Sequence, residues 1–187
     1  MSDHPVSLRD GRYAVIGVLG EGAQAQTLAA ADKREGRPVA IKRFVVRGAR
    51  SWKDVELAER EARVLSGLHH PNLPGYVEHF EENGELYLVM EHVEGESLQQ
   101  MKRRGGRLSR AEVKRLLDEL AGLLEYLHGQ APPLIHRDIK PGNVIRRPDG
   151  GFTLVDFGSV RDRLKVEGGS TVVGTFGYMA PEQFQGR

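Results

Sequence analysis

Apolar residues first follow a two-residue period. Residues 13–19 and 26–31 read as two strands flanking a Gly-rich turn, and 38–46 reads as a third strand that carries Lys42. Ser51 with Asp54 offers a helix start, and 55–68 then shows apolar residues at helical spacing, ending before His69, His70 and Pro71. Strands follow at 73–81 and 85–91, joined by a turn at Asn83-Gly84. Residues 92–95 read as a linker, and Ser97 begins a short helix. Ser109 and Glu112 form a capping-box pattern ahead of a helix over 113–128. On it Val113, Leu116, Leu117, Leu120, Leu123, Leu124 and Leu127 form a wide apolar stripe that should be buried, and Gly129 is its stop. The expected fold is α+β: a small antiparallel sheet with one helix, then a mainly helical part, with the boundary near Val93. There is no internal repeat and no low-complexity tract.

Composition narrows the class. The 187 residues include 39% hydrophobic and 28% charged side chains, the profile of a globular protein. With 27 basic against 26 acidic residues, the net charge of +1 produces no field that selects nucleic acid or an anionic membrane. Lys102, Arg103, Arg104 and Arg107 read as a solvated helix end and loop. Zero cysteines exclude disulfides, thiolate metal sites and cysteine nucleophiles, and fit a cytoplasmic setting. The polar start MSDHPVSLRDGR carries no signal or lipidation pattern, and apolar runs such as 86–90 are strand-length, so no membrane segment is expected.

The chemistry concentrates between His136 and Asp156, in HRDIKPGNVIRRPDGGFTLVD. Phosphoryl transfer needs a carboxylate to take or orient a hydroxyl proton, a cation to offset phosphoryl charge, and oxygen ligands for magnesium. Asp138, Lys140, Asn143 and Asp156 can supply those roles.

HRDIKPGN over 136–143, DFG over 156–158, VAIK over 39–42 and APE over 180–182 resemble the signature set of protein kinases, in the same order along one chain. The DxKPxN form and the later GTFGYMAPEQ resemble the serine/threonine branch, especially its bacterial members. The resemblance runs from about Tyr13 to Arg187. It implies a two-lobe fold: an N-terminal extension over 1–12, a sheet lobe over 13–92, a hinge near 91–95 and part of a larger, mainly helical lobe over 93–187. It places the nucleotide in the cleft between lobes and an activation segment over 156–182.

The same resemblance implies ATP and Mg2+, and assigns residues to them. Leu19, Gly20, Glu21 and Gly22 form the loop over the phosphates; Ala25 stands where the family usually has a third glycine, Gln24 replaces an aromatic and Thr27 a valine. Lys42 contacts the α- and β-phosphates and pairs with Glu61, which lies ten residues ahead of Pro71. Glu59, the competitor, falls on another helical face. Asp138 is the base, Lys140 stabilises the γ-phosphate, and Asn143 with Asp156 holds magnesium. Ala40, Val18 and Ile145 sandwich the adenine, Met90 controls access behind it, and Glu91 and Val93 present backbone groups. His136 is structural, stacked under Phe157. Arg137 before Asp138 implies control by a phosphate on Ser170 or Thr171, while Thr175 is structural and orients substrate.

Relatives continue for roughly another 80 to 100 residues after APE, so the expectation is a piece of a longer kinase, with Glu182 lacking its arginine and the stripe partly uncovered. The expected activity is transfer of the ATP γ-phosphate to protein Ser/Thr hydroxyls, with self-association for autophosphorylation. Two alternatives stand beside it: a nucleotide-binding scaffold without turnover, and a small-molecule kinase of the same fold.

Overall fold

The structure, a computed structural model, describes residues 7–21, 25–44, 59, 61–157, 161–162, 175 and 177–184. It divides into two compact units, one of residues 1–69 and 74–92, the other of 70–73 and 93–187.

The first unit is built on a six-stranded antiparallel sheet in the order β1-β2-β3-β4-β6-β5. Its strands are β1 (Ser7–Leu8), β2 (Tyr13–Glu21), β3 (Ala25–Asp32), β4 (Arg37–Phe44), β5 (Tyr76–Glu82) and β6 (Glu85–Glu91). Tyr13, Val39, Ile41 and Val89 are fully buried in the core of one sheet face, with Phe80 and Tyr87 beside them. The Phe80 ring stacks between Tyr13 and Tyr87, at centroid distances of 6.0 and 5.1 Å. Asn83 and Gly84, at φ 53° and 73°, make the hairpin between β5 and β6 that the Asn-Gly pair predicts. Helix α1 covers residues 61–66. Its Ala62 and the neighbouring Glu59 line one small crevice with Phe44 and Leu88, which sets this helix over the sheet face opposite the Tyr13 core.

Two strands differ from the expectation. Ser7–Leu8, read as part of a polar extension, pairs with Ala14 and Tyr13. A charged network secures this start: Arg12 donates twice to Asp32, at 3.1 and 2.7 Å, and once to Glu78 at 2.9 Å, while the Arg9 N–H reaches Glu82. The Arg12 guanidinium holds the buried Asp32 carboxyl below the usual carboxylate range. β5 begins at Tyr76 rather than at 73, because the 70–73 stretch is bonded elsewhere. The predicted helix start at Ser51 and Asp54, and Val45–Val46, lie outside the described residues.

The second unit contains β7 (Glu96–Ser97), α2 (Leu98–Arg103), α3 (Arg110–His128), β8 (Leu134–Ile135), a 3-10 turn (Pro141–Asn143), β9 (Val144–Arg146), β10 (Phe152–Leu154), β11 (Arg161–Asp162) and α4 (Pro181–Phe184). Ser97 and Ser109 cap α2 and α3, each in a reciprocal capping box, with Gln100 and Glu112 as the returning side chains. α3 packs against β8 and β10. Only its C-terminal half is enclosed: Leu123 and Leu127 are fully buried, whereas Val113 is 41% and Leu117 62% exposed. The sequence marks a face to be buried with part of it uncovered, and here the end of the stripe is enclosed while its start is open. Periodicity marks an apolar face, but only tertiary neighbours cover it. Among the described residues no helix is long and apolar enough to cross a membrane.

Candidate active site

Lys42 lies in β4, whose residues 39–42 are all buried because β3 and β6 flank the strand and both faces are covered. Alternation puts Lys42 on the same face as Ala40 and Phe44. A buried ammonium needs an anion. Glu61 provides it: Lys42 Nζ donates to both carboxylate oxygens at 2.8 Å, with the side chains only 10% and 2% exposed. The Phe44 ring lies 5.2 Å from the same nitrogen. Glu59 is exposed.

Leu19, Gly20 and Glu21 form the exposed end of β2, where the pairing with β3 shifts between Val18 and Gly20. Val18 is 57% exposed, so packing does not account for it. Gly22 and Gln24 lie outside the described residues. Ala25 opens β3 opposite Phe44. Ala40 and Met90 are a buried cross-strand pair. Glu91 ends β6, and its carboxylate accepts the Gly75 N–H at 3.1 Å.

In the second unit, the segment between β8 and β9 gathers polar groups around one carboxylate. Asp138 Oδ1 accepts from the Thr175 hydroxyl at 2.7 Å, and Oδ2 accepts from Lys140 Nζ at 2.8 Å and from Asn143 Nδ2 at 3.0 Å. Lys140 also donates to Thr175 Oγ1 at 2.6 Å, and Asn143 Nδ2 to the Asp138 carbonyl at 2.9 Å. The turn at Pro141–Asn143 brings Asn143 back over Asp138, closed by the Asn143 N–H donating to Lys140 O at 2.9 Å. Asn143 Nδ2 thus makes two bonds to Asp138, and the amide oxygen of Asn143 is a hard donor by type. Asp156, exposed and at φ 71°, supplies a second hard oxygen group. Such donors fit magnesium. Among the described residues there is no group of three His, Cys, Asp or Glu side chains arranged to hold a metal ion.

Arg137 and Asp156 both hold positive φ, 65° and 71°. For residues with a Cβ this costs of order 1–3 kcal/mol each, and such strain clusters at functional sites. His136 meets Phe157 edge-on, with centroids 5.0 Å apart and planes at 73°, rather than stacked beneath it. Ile145 in β9 pairs with Thr153 and Ser97, and both Ile145 and Val93 are half-buried. Ser170 and Thr171 lie outside the described residues. Glu182 is exposed.

Three side chains near this segment were not singled out from sequence. Asn72 is buried, donating to Phe152 O at 2.7 Å and to Glu119 Oε2 at 2.9 Å. Glu119 Oε2 also accepts the Phe152 N–H at 2.7 Å, and the Leu154 N–H reaches Asn72 O at 2.9 Å. The 70–73 stretch is thereby bonded along β10, two residues ahead of Asp156. The third is Gln183, whose Nε2 donates to Arg137 O at 2.9 Å. His69, His70 and Pro71 mark the end of a helix, and nothing in the sequence marks a bond from Asn72 spanning 80 residues.

A protein kinase domain model matches residues 13–187. The chain is 38% identical over 199 residues to serine/threonine-protein kinase B of Synechocystis sp., across 95% of this chain and 34% of that protein. It is 36% identical over 183 residues to serine/threonine-protein kinase PknA of Mycobacterium tuberculosis, across 94% of this chain and 42% of that protein. PknA of Nostoc sp. is 36% identical over 195 residues, across 96% and 34%. The chain spans between 34% and 42% of the length of these curated relatives. With an antiparallel sheet leading into α2 and α3, and a family match that omits only the first twelve residues, the chain belongs to the protein kinase domain family.

Proposed function

We propose that this chain is the catalytic region of a serine/threonine protein kinase, moving the γ-phosphoryl group of ATP to serine and threonine hydroxyls of proteins. The terminal phosphoanhydride bond breaks, a phosphoester bond forms to the acceptor oxygen, and Asp138 takes or orients the hydroxyl proton. Lys140 offsets charge on the transferred group. Lys42, held by Glu61, meets the α- and β-phosphates, and Leu19, Gly20, Glu21 and Gly22 cover them. Ala40, Val18 and Ile145 flank the adenine, Met90 limits access behind it, and Glu91 and Val93 offer backbone groups. Asn143 and Asp156 hold Mg2+, which when bound neutralises charge on the phosphates. Residues 156–182 form the activation segment and the hinge lies near 91–95. Autophosphorylation between copies, in the cytoplasm, belongs to the same reading.

One observation carries it: the Asp138 carboxylate, 8% exposed, is met by a lysine, an amide and a hydroxyl within 3.0 Å. A base in reach of a hydroxyl and beside a cation is what the transfer requires. The experiment incubates the chain with radiolabelled ATP, magnesium and a degenerate serine/threonine peptide acceptor, with Asp138→Asn alongside. The expected result is phosphoserine and phosphothreonine from the unaltered chain and a loss of about 100-fold or more in the variant. Equal label from both proteins would falsify the assignment.

A further inference from the structure

Gln183, third in α4, uses both ends of its amide. Its Oε1 accepts the Ala180 N–H at 3.0 Å, while its own backbone N–H donates to Ala180 O at 3.0 Å. That is the returning half of a capping box, where glutamate and glutamine serve alike. Its Nε2 donates to the carbonyl oxygen of Arg137 at 2.9 Å, 46 residues away in sequence. A carboxylate has no hydrogen to give there, so only the second bond requires glutamine.

The carbonyl it meets belongs to the strained residue beside the base. Arg137 sits at φ 65°, and left-handed backbone persists in a residue with a Cβ only where its surroundings over-determine it. The peptide joining Arg137 to Asp138 is held at its two polar ends. Gln183 takes the carbonyl, and the Asp138 N–H points to His136 Nδ1 at 3.4 Å. His136 in turn meets Phe157, next to Asp156. One peptide plane therefore joins the end of the 156–182 segment to the residue that carries the base.

We propose that Gln183 is a positioning residue: by holding the Arg137 carbonyl it aims the Asp138 carboxylate, so that the base is in register only when residues 180–183 are docked on the segment 136–138. The proposal rests on the kinase reading above and adds a regulatory consequence. The geometry of the base reports whether the end of the activation segment is in place.

Gln183→Glu separates the two bonds, since it keeps the acceptor for Ala180 and the charge suits a helix start, yet removes the donor to Arg137. Gln183→Met removes both. The first measurement, NMR-detected amide exchange, needs no turnover: the Asp138 N–H should exchange about tenfold faster in either variant, with β9 and β10 amides unchanged. Unchanged exchange at Asp138 overturns the proposal. The second uses the degenerate peptide acceptor: kcat should fall by about 10- to 100-fold in both variants while KM for ATP stays within about twofold. A kcat equal to that of the unaltered chain overturns it, as does a KM for ATP that rises in step with the loss. An unaltered chain that transfers no phosphate rejects the kinase reading instead, and the exchange measurement then decides on Gln183 alone.

Discussion

Lys42 and Glu61 form a symmetrical ion pair, with the ammonium 2.8 Å from each carboxylate oxygen. The pair joins the central strand of the sheet to α1, and both side chains are removed from water. Desolvation offsets most of the attraction in such a pair, but removing one partner takes two charge-assisted hydrogen bonds from the other inside the fold. Glu61→Ala should therefore destabilise the fold by about 3–5 kcal/mol. The double variant Lys42→Met with Glu61→Leu should cost less than Glu61→Ala alone. Urea denaturation of the set measures this, and a double variant weaker than the single one contradicts it.

Thr175 stands between Lys140 and Asp138, accepting from one and donating to the other at 2.6 and 2.7 Å. Thr175→Val keeps the shape and removes the hydroxyl, leaving Asp138 Oδ1 without this donor. We expect kcat to fall by about tenfold or more, given what a displaced general base costs, and Thr175→Ser to recover most of it. Steady-state transfer assays decide, and equal rates for serine and valine would exclude the hydroxyl.

Truncating Asn72 removes its bonds to the Phe152 carbonyl and to Glu119, while Arg147 Nη1 still donates to that carbonyl at 3.3 Å and the Phe152 N–H to Glu119 Oε2 at 2.7 Å. Each hydrogen bond lost costs about 0.5–1.5 kcal/mol, so Asn72→Ala should be destabilising. Asn72→Asp should be worse, because it sets a second carboxylate beside Glu119. Chemical denaturation ranks the three proteins.

Glu112 titrates unusually low, from an ordinary 4.5 to about 2, first through the Ser109 N–H, then the Ser109 hydroxyl and Arg146. A lowered folded value means stability that is complete above pH 4.5 and is lost as the pH falls toward 2. The stability difference between the unaltered protein and Glu112→Gln, measured by circular dichroism, should be present at neutral pH and shrink through that window. A difference that does not change with pH would remove Glu112 from the acid response.

Gly95 holds φ 137°, and a Cβ there would lie 2.2 Å from the Arg146 carbonyl oxygen. Backbone cannot yield as a side chain can, so Gly95→Ala should separate β7 from β9, the strand that carries Ile145. The expected outcome is a lowered Tm together with a weakened ATP affinity in a fluorescent-nucleotide titration. An alanine variant with unchanged Tm and affinity would contradict this.

Much of the fold was legible because its signals are local. Alternation over two residues marked β2, β3, β4 and β6, Asn83-Gly84 marked a hairpin, and Ser109 with Glu112 marked the start of α3 within three residues. The residues now gathered at Asp138 were legible for a related reason, since Asp138, Lys140 and Asn143 lie within six positions. β9 and β10, at three residues each, are too short to show a period, and Ser7–Leu8 shows one only by pairing.

The order of residues alone determined which side chains can do chemistry and which faces are apolar, because propensity, period and capping act over a few residues. Tertiary structure decided the rest. It buried Leu127 and left Leu117 open on one helix face, joined Asn72 to Phe152, and laid Gln183 against Arg137. These bonds connect residues dozens of positions apart, where chain order carries no distance information and only packing selects the partner.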